Sequence, residues 1–255
     1  MKRGLKLFGK ILLVIIIILV INFIPVFRKQ DSQMVLRENE YFSFYYNETD
    51  EGAEDVYDLA LNEAPRIIDA LGLDEVDKLT IYLYEDQTQM QSKYIGFVAY
   101  VADLPWFIGG AAQNNIVMVS PATPNEQHDY DSILETILHE IGHAYNYQLN
   151  SNMNLWLDEG MAMVLAGQGD DHTPKDGIGM VIPTHTEINQ VTTLNFHKIN
   201  GYFYARQYAD YLIDTYGYDT WLQLITTNDY QTTYNKSQED IYNEWHEYIL
   251  EAQNN

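Results

Sequence analysis

Residues 132–149 read SILETILHEIGHAYNYQL, and this stretch decides the fold. Ile133, Leu134, Ile137, Leu138 and Ile141 recur at the three-and-four spacing of a buried helix face. Ser132 and Glu135 supply the S-x-x-E signature of a capping box at its start. Inside the helix lies His139-Glu140-Ile141-Gly142-His143. Residues four apart share one helical face, with Cβ atoms about 5–6 Å apart, so both imidazoles can reach one metal ion. Glu140 points to a neighbouring sector. There it can contact an activated water without being a ligand.

A catalytic zinc takes three protein ligands and keeps its fourth position for water. The chain has no cysteine, so the third ligand must be His, Asp or Glu. Downstream, Trp156-Leu157-Asp158-Glu159-Gly160 opens a second predicted helix, 155–166, with Gly167 where a carboxy-terminal cap belongs. Glu159 follows His143 at a distance that lets the chain turn and return antiparallel. His139, His143 and Glu159 are therefore the expected ligands of a Zn2+ ion. Trp156, Ala162 and Met163 share the helical face of Glu159 and are expected to pack around it. His128, His172, His185, His197 and His246 have no partner at ligand spacing and read as surface or loop residues.

Working outward, residues 41–47, 78–84 and 115–120 read as strands. Residues 50–71 read as a helix stopped by Gly72, with Pro65 a possible kink, and 86–94 as a short helix. Gly109 and Gly110 read as a break before the third strand. Residues 169–200 are rich in Gly, Asp, Thr and Pro and read as loop. Helices are expected at 202–216, 218–226 and 237–252. Strands first and helices later is an α+β order.

The motifs HEIGHA (139–144) and WLDEGMA (156–162) resemble the gluzincin metallopeptidases, specifically peptidase MA-like domains distantly similar to the catalytic domain of zinc aminopeptidases. The specific match covers about 109–217, and a looser one reaches back to 41. The resemblance implies a zincin-like fold: a small amino-terminal mixed β-sheet with helices, then a mainly helical carboxy-terminal lobe. It implies that Glu140 is the general base. It also aligns a tyrosine-rich helix, 202–216, which puts Tyr202 where the family has an oxyanion-binding phenol, with Tyr204 as the other choice. Residues 115–120 resemble the family's edge strand, onto which an extended peptide could pair. The aminopeptidase stretch G-x-M-x-N with its acidic residue is replaced by Gly109-Gly110-Ala111-Ala112-Gln113-Asn114, which favours an endopeptidase. A second reading keeps the fold as a catalytically inactive surface binding module.

Residues 11–27 are apolar except for Asn22 and Pro25. The first 30 residues carry Lys2, Arg3, Lys6, Lys10, Arg28 and Lys29 and no acid. This reads as a cytoplasmic basic segment (1–10), one transmembrane signal anchor (11–27), a linker (28–40) and an extracytoplasmic peptidase domain (41–255). No small-x-small cleavage site follows the apolar run. The remaining chain has eight basic residues against 37 acidic ones, a net of −29. Such a body repels phosphate backbones, so nucleic acid is excluded as a partner. Peptide or protein substrates and the membrane are the expected partners. Packing alone must hold an extracytoplasmic body without disulfides, as in many bacterial surface proteins.

Overall fold

A computed structural model describes the backbone of residues 2–254. Met1, Asn255 and the side chains of residues 2–7 lie outside the described residues, and with them the side chains of Lys2, Arg3 and Lys6 in the expected basic segment. The chain forms two compact units, one of residues up to 61 with 78–137, the other of 62–77 with 138–255. The arrangement is α+β, with one small mixed sheet and a mainly helical remainder.

The first unit starts with helices α1 (Lys2–Asn22) and α2 (Ile24–Phe27), then strands β1 (Val35–Glu38) and β2 (Phe42–Tyr46). Helix α3 (Ala53–Ala70), whose residues from 62 on are counted with the second unit, leads towards β3 (Leu79–Tyr84), followed by α4 (Gln87–Ile95), β4 (Gly109–Ala112) and β5 (Asn115–Val119). The strand order is β1-β2-β3-β5-β4. β2, β3 and β5 run parallel, and β1 and β4 close the two edges antiparallel. Parallel neighbours need crossover connections, and α3 and α4 supply them. β5 is buried along Ile116–Val119, as a central strand covered on both faces must be.

Several expectations change here. Residues 115–120 are not an edge strand: β5 pairs on both sides, and β4 holds the edge. Gly109 and Gly110 do not break the chain but form β4, where the Tyr94 ring occupies the space a Gly110 side chain would need. The expected linker contains β1. Ser132 is not the helix cap; the Asp129 carboxylate accepts the Ser132 backbone N–H at 2.9 Å, and α5 (Tyr130–Leu149) begins one residue after it. No helix among the described residues is long and apolar enough to cross a membrane.

The second unit takes the latter part of α5 and adds α6 (Leu155–Ala166), α7 (His185–Gln190), α8 (Thr193–Phe196), α9 (Gly201–Tyr216), α10 (Tyr218–Thr227), α11 (Tyr230–Tyr234) and α12 (Gln238–Asn254). The segment 169–200 is thus not plain loop. Thr184 and Glu187 cap α7 reciprocally, and Arg206 grips the start of the segment, donating to Gln168 O at 2.6 Å and Asp170 at 2.7 Å. Gly167 ends α6 in the left-handed region, as expected. Trp156, Phe196, Tyr204, Tyr208 and Trp245 form one buried aromatic cluster; Trp156 and Trp245 lie 6.3 Å apart, edge to face. Trp156 therefore belongs to this core.

Two glycines let three helices approach closely. A Cβ on Gly142 would stand 3.1 Å from Ala162 Cα, and one on Gly160 would stand 2.9 Å from the Ala205 carbonyl oxygen. Both obstacles are backbone, which cannot swing aside. α5 is thereby seated against α6, and α6 against α9. Gly160→Ala should cost about 1–3 kcal/mol through overpacking, despite alanine's better helix propensity. Urea unfolding measures this, and unchanged stability would mean that the helices can part without loss.

Candidate metal centre

α5 presents His139 and His143 one turn apart, and α6 returns Glu159 to them. His139 Nε2 and His143 Nε2 stand 2.9 Å apart. Glu159 Oε2 lies 3.4 Å from the first and 3.5 Å from the second. A circle through these three atoms has a radius of about 1.9 Å, close to that of three corners of a tetrahedron with zinc–ligand bonds of about 2.0–2.1 Å. Glu159 is buried, and its Oε2 has no hydrogen-bond donor. A buried carboxylate oxygen without a partner is costly. The donor set therefore fits a divalent metal ion.

The charges agree with the geometry. Burial disfavours ionised Glu159, yet the imidazoles outweigh it and hold the carboxyl down to about 2. Burial likewise disfavours charged His143, but Asp158 and Glu159 prevail and raise its pKa well above the usual value. The carboxylates beside His143 thus favour a positive charge at this position, which is what a bound cation supplies.

Asp158 directly precedes Glu159 on α6 and so leaves the helix in a different direction. The structure puts Asp158 Oδ2 2.9 Å from His143 Nδ1, within ion-pair reach, although Nδ1 makes no well-aligned hydrogen bond. Asn146, one helical turn past His143, donates to Asp158 Oδ1 at 2.8 Å and to its carbonyl at 3.2 Å. The available signal was that an imidazole has two nitrogens: with one aimed at a metal, the other points away, towards a neighbouring side chain.

Glu140 is buried, with Oε2 unpartnered. Burial raises its pKa, the two imidazoles oppose this, and Glu159 and Asp158 add to it. A base raised towards neutrality suits proton transfer. Tyr202 is half-buried, its ring 5.0 Å from Phe196. Tyr204 is fully buried against Phe203 and Trp245, with its hydroxyl 3.5 Å from Met180 O. The core thus occupies Tyr204.

Residues 60–247 match the family described as the Peptidase MA superfamily. No curated protein and no solved structure gives a significant match.

Asp158→Ala should weaken metal binding by about 10–100-fold, the usual cost of losing the group behind a ligating histidine. Chelator competition followed alongside helical circular dichroism checks this. An unchanged affinity in a folded variant would strip Asp158 of its role.

Proposed function

The chain belongs to the Peptidase MA superfamily, and from that premise we propose that it is a membrane-anchored zinc metallopeptidase that cleaves peptide bonds outside the cytoplasm. One observation carries the reading: three donor atoms from two adjacent helices, on buried His139 and Glu159 and half-buried His143, spaced as three corners of a tetrahedron. His139, His143 and Glu159 would hold the ion. Zinc is the metal that two imidazoles and a carboxylate suit best.

A bound zinc would supply Lewis acidity, making water a usable nucleophile near neutral pH and polarising the scissile carbonyl. The chain's own residues do the rest. Glu140 takes the proton from the attacking water on its unpartnered carboxylate oxygen, then delivers it to the leaving amine. Asp158 steadies the His143 ring, and Asn146 steadies Asp158. The Tyr202 phenol donates to the oxyanion that develops on the carbonyl. Residues 109–114 carry no acid to bind a free amino terminus, which supports endopeptidase action.

The anchor reading rests on α1. From Ile11 to Ile21 eleven consecutive apolar side chains are each at least 46% exposed, so every face of the helix is apolar and uncovered. A one-sided amphipathic helix does not look like this. A 17-residue apolar stretch is short for a bilayer, and short spans are accommodated by local thinning and by flanking basic residues reaching outward. Lys10, Arg28 and Lys29 stand at the two ends for that purpose. The basic flank puts the amino terminus in the cytoplasm, and the acidic body does not bind nucleic acid.

The deciding experiment pairs metal analysis with peptide-library cleavage. Glu140→Gln should keep stoichiometric zinc and lose nearly all turnover, whereas His143→Ala should lose the metal. Undiminished cleavage by Glu140→Gln would remove the assigned base. Tyr202→Phe should lower kcat by about 10–1,000-fold with zinc content unchanged, the range seen on removing one oxyanion donor. A wild-type rate in that variant would reassign the oxyanion contact.

A further inference from the structure

Residues 95–102 read IGFVAYVA and hold no charge. In a body with 37 acidic residues this is an anomaly. The stretch forms a 3-10 turn, Phe97–Tyr100, that projects its apolar groups outward: Phe97 is 45%, Tyr100 58% and Val101 85% exposed. An isolated exposed apolar residue means little, but a run of them on one turn marks an interaction surface.

This turn is clasped to the end of α1. Asn22 donates through Nδ2 to Ile95 O at 3.3 Å and accepts the Val98 N–H on Oδ1 at 2.8 Å. Gly96 sits between them at φ +88°, where a side chain would run into the Asn22 carbonyl. Just beyond α2, Lys93 donates to Arg28 O at 2.8 Å and to Asp31 at 2.6 Å, and the Tyr84 hydroxyl donates to Lys29 O at 2.5 Å. The exit of α1 is therefore moored to the first unit. Beside it lies an apolar groove of about 430 Å³ lined by Leu19, Val20, Phe23, Ile24, Phe27 and Arg28. A groove of methyl and ring groups bordered by a guanidinium matches an acyl chain and its phosphate.

We propose that the 97–101 turn enters the headgroup–acyl boundary of a phospholipid bilayer beside α1, so that the first unit meets the membrane at two points and is held in a fixed attitude. The inference rests on the anchor reading above. The occupant is lipid because the turn continues the uncovered apolar surface of α1 and because Arg28 and Lys29 offer the charge that lipid phosphates attract.

The absence of cysteine makes the test direct. Full-length protein is reconstituted into phosphatidylcholine bilayers with an environment-sensitive fluorophore on one of three variants: Val101→Cys, Ile16→Cys or Glu54→Cys. Lipids brominated near the headgroup should quench the probe at 101, lipids brominated near the chain ends should quench the probe at 16, and neither should quench the probe at 54. A probe at 101 that is unquenched while the probe at 16 is quenched overturns this inference and leaves the anchor standing. Loss of quenching at 16 alone removes the anchor and, with it, the two-point attachment proposed here; loss at both sites removes both contacts. A probe at 101 that is blue-shifted yet unquenched means that protein covers the turn, which also overturns the proposal.

Discussion

The missing side chains of Gly142 and Gly160 are the constraint on which the second unit depends. Each removes a methyl group that would meet backbone atoms of the neighbouring helix. With both absent, α5, α6 and α9 pack closely, and Glu159 reaches the two imidazoles within 3.5 Å. Helices held even slightly further apart would leave the carboxylate out of range. The glycines inside the two site motifs thus have a packing role, and the chemistry-bearing residues beside them are placed by it. The aromatic cluster around Trp156 and Trp245 extends the same α6–α9 contact one helical turn from Gly160.

Electrostatics complete what packing begins. A carboxylate and two imidazoles buried together form a poor core on their own, because Glu159 Oε2 and Glu140 Oε2 have no donors. Folding tolerates such atoms where a ligand repays them. Asp158 and Asn146 extend the arrangement outward, with the Asp158 carboxylate beside one nitrogen of His143 and the other nitrogen turned to His139 and Glu159. The cluster is prepared for a cation by its shape and by its charge.

Much of this was legible from residue spacing. The periodic Ile and Leu positions of α5 and the H-E-x-x-H repeat required a helix with two imidazoles on one face, and Glu159 was the carboxylate the chain could bring back. The strand–helix order pointed to the α+β class. What could not be read depended on partners distant in sequence. Residues 115–120 look the same on an edge as in the interior, and only the pairing with β4 settles their position. Residues 169–200 lack helical periodicity because α7 and α8 are too short to show it. Asp129 caps the helix and Ser132 does not, because the helix already begins at Tyr130 and takes Ser132 into its first turn. Asp158 lies off the helical face of Glu159, and only the second nitrogen of the His143 ring gives it a role.

All three donors lie between His139 and Glu159, on consecutive helices. Little chain entropy is spent in closing so short a loop, and contacts of low sequence separation form early. The cluster can therefore assemble as soon as the α5–α6 hairpin exists, before the last helices have emerged. An ion captured at that stage would act as a nucleus, committing the hairpin to its native pairing while the rest of the polypeptide is still being made.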